Sequence, residues 1–234
     1  MGQEVSSRSF DLEEAQVCAV LSSIVYDPQP GQGPSWDQLN RILRENADRY
    51  PPISHILKNL QVRNGESSFD MACFSSPSTI YIVVRGTDFT GTHTFRDLLN
   101  DLAITFLGNE APSRTPTCVA TALQWKQAHA GKRVVCAGHS LGGTVALALM
   151  MFKVGDFAQV FNYGRGLPNL PDFVMSHLFL DKEKILHHHI FGDLISPRYL
   201  AKVPTITYAG EKGLLQHAIT NFTNAVARGG WLQP

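Results

Sequence analysis

The apolar positions of the chain follow two different spacings in turn. Leu12, Ala15, Val17, Ala19, Val20 and Ile24 make an apolar helical surface that ends near Tyr26, and Asp11 with Glu14 three residues on has the shape of a capping box at its start. Pro28, Pro30, Gly31, Gly33 and Pro34 break that helix, and Ser35 is placed to cap a second, more polar one over Trp36 to Asp48. Phe69 to Phe74 and Thr79 to Val84 then read as strands joined as a hairpin through Ser75, Ser76, Pro77 and Ser78.

From Arg85 onward helix and strand alternate. Helices are predicted over Phe95 to Leu102, Val119 to Ala130, Leu141 to Phe152 and Phe173 to Leu180, with strands at Val134 to Ala137, Val160 to Tyr163 and Ile185 to Phe191. Such alternation predicts an α/β fold with a mainly parallel central sheet and helices on both faces. Reactive groups then belong at the carboxyl ends of the strands. With no Pro/Gly/Ser linker and no internal repeat, residues 1–234 read as one domain.

Composition agrees with a sheet buried on both sides: 44% of the 234 residues are apolar and 17% charged. Lys plus Arg equals Asp plus Glu at 20 each, with no basic stripe, so nucleic acid is not an expected partner. Cys18, Cys73, Cys118 and Cys136 are far apart in or beside apolar segments, where a free thiol behaves as a small hydrophobe. No charged and then apolar leader is found, and the stretch around Val145 to Val154 includes Lys153 and is too short to span a bilayer. A cytoplasmic protein is therefore expected. Met1, Gly2 and Ser6 fit the myristoylation pattern, which would make it peripheral to a membrane. Only Arg8 is basic nearby and one acyl chain binds weakly, which favours Gly2 as an ordinary residue.

The candidate chemistry begins at Gly138, His139, Ser140, Leu141, Gly142 and Gly143, which lie between the apolar run Val134 to Ala137 and the helical stretch Thr144 to Phe152. A serine lifted off a sharp strand-to-helix turn needs glycines two residues before and after it, where a Cβ would collide with neighbouring backbone. The bare pattern arises by chance in roughly one chain in twelve of this length. The flanking strand and helix supply the context that makes Ser140 a candidate nucleophile.

A serine hydroxyl needs an imidazole to take its proton and a carboxylate to orient that imidazole. On the fold that uses this elbow the order is nucleophile, acid, base. Asp193 ends the segment Ile185 to Gly192 and is the acid chosen. Asp172, at an apparent helix start, and Asp181, in a charged stretch, are the rivals read as structural or solvated. His217 is the one histidine after Asp193, and becomes the base, the alternative being a surface or cap residue of the last helix. His139 is expected to pack under the elbow.

His187, His188 and His189 alternate faces on a strand and cannot all converge on one ion, so no metal is expected there and no cofactor is required. Hydrolysis of an ester also needs N–H donors for the oxyanion. One is the backbone of Leu141. The second is sought at Arg85, Gly86, Thr87, Asp88, where Thr87 is the donor chosen and a plain strand-ending turn the alternative.

Together these residues resemble the class 3 lipase family, which includes fungal triacylglycerol lipases of the α/β-hydrolase fold. Val83 to Thr87 is similar to its strand and oxyanion loop, Phe95 to Leu102 to the helix after it, and Gly138 to Gly143 to its elbow. Phe161 to Gly164 with Pro168 and Asn169 resembles the next strand and turn, and Phe191 to Pro197 the acid-bearing segment. The likeness covers Thr79 to Tyr199, with His217 added by order. It implies triad roles for Ser140, Asp193 and His217 and oxyanion roles for Thr87 and Leu141. The expected function is hydrolysis of an acyl lipid or another carboxylester, with transient contact at a membrane surface. An acyltransferase on the same site and a non-catalytic module that binds lipid or protein are the alternatives. Gly164, Arg165, Gly166 departs from the family order. The stretch Thr87 to Asp97 is short and polar where secreted members carry an apolar lid, which argues against strong interfacial activation and triglyceride preference.

Overall fold

Two capped helices open the described part of the chain. The structure is a computed structural model, which describes residues 11–26, 34–86, 110–161, 181–190, 204–208 and 219–230. Helix α1 (Leu12–Ile24) starts where Asp11 accepts the Glu14 N–H at 3.0 Å. The expected box is not reciprocal, because the Glu14 carboxylate turns inward to Arg133 and to Gln159 Nε2 at 3.4 Å. Helix α2 (Trp36–Arg49) has the full box: Ser35 Oγ accepts the Gln38 N–H at 3.2 Å and the Ser35 N–H donates to Gln38 Oε1 at 2.9 Å. Pro51 and Pro52 then allow only a tight turn before the short helix α3 (Ser54–Leu57).

Among the described residues the sheet has six strands in chain order: β1 (Met71–Ser75), β2 (Thr79–Val84), β3 (Arg133–His139), β4 (Phe157–Phe161), β5 (Ile185–Ile190) and β6 (Thr205–Tyr208). The first two form the expected antiparallel hairpin, closed by Ser76 N–H on the Thr79 carbonyl at 2.8 Å. Every later pairing is parallel. Parallel neighbours require crossovers, supplied among the described residues by α4 (Glu110–Ala128) and α5 (Leu141–Met151). Helix α6 (Thr220–Ala227) packs back on α1.

Period-two alternation sorts the strands into two cores. Ala72, Phe74, Tyr81, Val83, Val135, Ala137 and Phe161 face α1, α2 and α6, while Cys73, Ile80, Ile82, Val84, Val134 and Cys136 face α4 and α5. The sheet is thus mainly parallel with helices on both faces, as its apolar strands predicted. All four cysteines are buried and unpaired within these cores.

Several boundaries differ from the sequence expectation, each for a local reason. Helix α4 begins at Glu110, not Val119, and runs through Pro116, whose missing N–H and ring ordinarily end a helix. Strand β1 begins at Met71: Phe69 is half exposed, and the Arg85 guanidinium sits over its ring at 4.9 Å. Strand β3 continues to His139 because its pairing with β4 continues to Phe161, and β4 itself starts at Phe157, before the expected Val160. Strand β6 was not anticipated; four residues of alternating Thr, Ile, Thr and Tyr are too short a signal. The helices expected over Phe95 to Leu102 and Phe173 to Leu180 lie outside the described residues.

Candidate active site

Strand β3 delivers the candidate nucleophile. Residues Val134 to His139 are all buried, and at the strand's end Ser140 takes φ 56° and ψ −127° before α5 begins at Leu141. A left-handed φ costs a residue with a Cβ about 1–2 kcal/mol and persists only where the surroundings impose it. They do so here on both sides. The Ser140 N–H donates to the Phe161 carbonyl at 3.1 Å, tying the turn to β4, and its carbonyl accepts Gly143 N–H at 3.0 Å and Thr144 N–H at 3.3 Å, starting the helix.

The glycines are required by contact. A Cβ on Gly138 would run into the Gly142 backbone and lie 2.7 Å from Gly143 N. One on Gly142 would run into the Val84 carbonyl and lie 2.9 Å from both Arg85 C and Gly86 N. The first turn of α5 therefore sits directly against the end of β2, as the elbow reading demands. Leu141 is buried at that turn, where backbone N–H groups have no intrahelical acceptor and the helix dipole favours negative charge.

The end of β2 is held from the other side as well. The Arg85 N–H donates to the Asp70 carbonyl at 2.8 Å, and Arg114 Nη2 donates to the Arg85 carbonyl at 3.1 Å while pairing with Asp70 Oδ1 at 2.7 Å. A Cβ on Gly86 would collide with the Tyr26 hydroxyl and stand 2.6 Å from the His139 carbonyl. Thr87, the oxyanion donor chosen from sequence, follows Gly86 and lies outside the described residues.

His139 is buried, and its Nδ1 lies 3.2 Å from the Tyr26 hydroxyl, which also donates to the His139 carbonyl at 3.3 Å. The ring is thus engaged with the end of α1, as expected of a residue packed under the elbow. Tyr26 had no chemical signal in the sequence, because it meets the elbow across 113 residues.

The three consecutive histidines of β5 are buried and alternate across the sheet. His188 stacks on Phe161 at 4.6 Å, while His187 and His189 face the other way, 5.8 Å apart between ring centres. His188 Nε2 lies 2.6 Å from Gln159 Oε1 and Nδ1 lies 2.7 Å from the Tyr208 hydroxyl. Because Gln159 Nε2 donates to Glu14, its oxygen must accept from His188, and a neutral ring then accepts the Tyr208 O–H. Burial, with His187 adding, holds the His188 pKa well below its usual value, in keeping with that neutral tautomer.

Of the residues chosen from sequence, Ser140 and Leu141 are in place at the elbow, while Thr87, Asp193 and His217 lie outside the described residues. Strand β5, which precedes Asp193, runs parallel to β4 and β3, so its carboxyl end lies on the same sheet edge as Ser140.

No protein-family model matches the sequence, and no curated protein is similar enough to count as a relative. Solved structures do match. A triacylglycerol lipase whose catalytic centre is a serine protease triad is 16% identical at a TM-score of 0.53, covering 87% of this chain and 81% of that one. The lipase of Rhizopus microsporus var. chinensis is 14% identical at 0.51, covering 84% and 74%. The triacylglyceride lipase of Rhizomucor miehei is 16% identical at 0.50, covering 87% and 81%. At these identities the likeness is one of fold: the chain has the α/β-hydrolase architecture that these lipases share.

Proposed function

We propose that the chain is a serine carboxylester hydrolase acting on acyl lipids. The observation that carries this reading is the conformation of Ser140. A serine at φ 56° is held between the end of a central strand and a helix N-terminus, with glycines before and after it that no Cβ could replace. A turn kept at that cost presents a hydroxyl at the carboxyl edge of a parallel sheet, where this architecture carries its chemistry. The fold shared with fungal lipases and the order Ser140, Asp193, His217 support the same reading.

In this mechanism Ser140 Oγ attacks the ester carbonyl as His217 takes its proton, and Asp193 keeps the imidazole in the right tautomer. The oxyanion is met by the Leu141 N–H at the start of α5 and by Thr87; such a donor contributes about 3–4 kcal/mol. His217 returns the proton to the leaving alcohol, and water then releases the acyl-enzyme. The substrate's apolar chains bring the protein into transient contact with a membrane surface.

A fluorophosphonate probe tests the proposal. It is expected to label the folded chain at Ser140, and Ser140→Ala is expected to lose labelling and at least about 10³-fold of esterase activity while keeping its melting temperature. Equal ester hydrolysis by the folded Ser140→Ala protein overturns it.

A further inference from the structure

On the α4 side of the sheet, away from the elbow chemistry, three side chains of different kinds meet in the interior. Glu66 comes from the turn before β1, Cys73 from the middle of β1 and His129 from just after α4. Their ligating atoms all lie within 4.8 Å of one another, and the residues are 6%, 0% and 4% exposed. His129 Nε2 is 2.5 Å from Glu66 Oε1. We propose that Glu66, Cys73 and His129 form a zinc-binding site.

The ligand set fits that ion. A thiolate and an imidazole select zinc over calcium or magnesium, and a carboxylate is a regular third partner. Ligands bound 2.0–2.3 Å from a tetrahedral zinc stand about 3.3–3.7 Å apart, so this cluster closes on an ion through small side-chain adjustments. Charge fits as well. A divalent cation with one thiolate, one carboxylate and one neutral imidazole is neutral overall, the form that a buried site tolerates. Binding releases the thiol proton of Cys73, and the Glu66–His129 hydrogen bond gives way to a bond from each group to the ion.

The surroundings already hold the ligands in place. Glu66 Oε2 accepts the Arg63 N–H at 2.9 Å, the Glu66 carbonyl accepts the Cys73 N–H at 2.8 Å, and Trp125 Nε1 donates to the Gly65 carbonyl at 3.0 Å. These outer bonds fix the Glu66 turn against both β1 and α4, as the supports of a metal site do. Zinc would therefore clamp the first hairpin to helix α4. Sequence spacing could not suggest this, since the ligands are at 66, 73 and 129.

Cobalt(II) titration of the chelator-treated full chain tests the site. One cobalt per chain is expected, with a thiolate-to-cobalt charge-transfer band that zinc abolishes by displacement. Zinc, and not magnesium, is expected to raise the melting temperature. Cys118→Ser should keep both signals and Cys73→Ser lose both. His129→Gln should weaken binding by more than about tenfold, a loss that even an outer partner's removal causes. Failure of the unmodified chain to bind cobalt, or binding without a thiolate band, overturns the proposal whatever the variants do. A band of full intensity in Cys73→Ser places the ion elsewhere and overturns it too.

Discussion

The Tyr26 hydroxyl stands 3.2 Å from His139 Nδ1 and joins the end of the first helix to the residue before the candidate nucleophile. The same hydroxyl occupies the space that a Cβ on Gly86 would need. One oxygen atom thus touches both the elbow and the strand end that leads toward Thr87, so helix α1 supports the site as well as covering the sheet.

Tyr26→Phe keeps the ring and removes that oxygen. Loss of a part-buried hydrogen bond costs about 1 kcal/mol, or roughly 2–4 °C in melting temperature for a chain of this size. Esterase activity is expected to fall further than this small destabilisation explains, because the elbow and the Gly86 segment lose a common support. Thermal melts and steady-state rates measured together check it, and full activity in a less stable protein would show the contact to be structural only.

Gly142→Ala is expected to be far more damaging than Gly131→Ala. Added at Gly142, a Cβ strikes the end of β2, whereas at Gly131 it meets nothing within 4 Å and only the φ of 87° resists it. The second change should cost about 1–2 kcal/mol and leave activity intact. The first should abolish most ester hydrolysis or prevent folding. Denaturant unfolding and fluorophosphonate labelling of the two variants separate these outcomes.

Gln159→Leu breaks a buried polar chain at its centre. His188 Nε2 loses its acceptor and Glu14 loses a donor, in an interior where each unsatisfied group costs about 1–3 kcal/mol. A stability loss of about 2–4 kcal/mol in urea unfolding is expected. A loss below 1 kcal/mol, on the scale of an ordinary surface change, would mean the chain of contacts adds little.

The same histidine links stability to pH. Burial pushes the folded-state pKa of His188 well below its usual value, so on acidification the unfolded chain takes up a proton there before the folded chain does. Its contribution is constant above the unfolded pKa of about 6.5 and is lost as pH falls through that value, with a limiting slope of about 1.4 kcal/mol per unit. His188→Gln is expected to be less stable at pH 8 yet to lose less stability between pH 7 and pH 5.5. Parallel slopes for the two proteins over that interval would sink the assignment.

The sequence by itself determined what depends on neighbours along the chain. Ser35 announced a helix start, Ser75 to Ser78 a hairpin, and the apolar strands a sheet covered on both faces, because caps, turns and period-two burial are local or repetitive. Gly138 and Gly142 marked the elbow for the same reason: the turn that needs them is six residues long. Local signals also misled where the interior overrode them. Pro116 hid nine residues of helix α4, and the Glu14 carboxylate left its cap to meet Arg133 in the fold. Only the tertiary structure decided that Tyr26 reaches His139, that Arg114 and Asp70 hold the Arg85 peptide, and that Glu66, Cys73 and His129 converge. Each of those meetings brings in a residue tens of positions away, and no spacing in the chain encodes a distance that only packing of helices on a sheet can close.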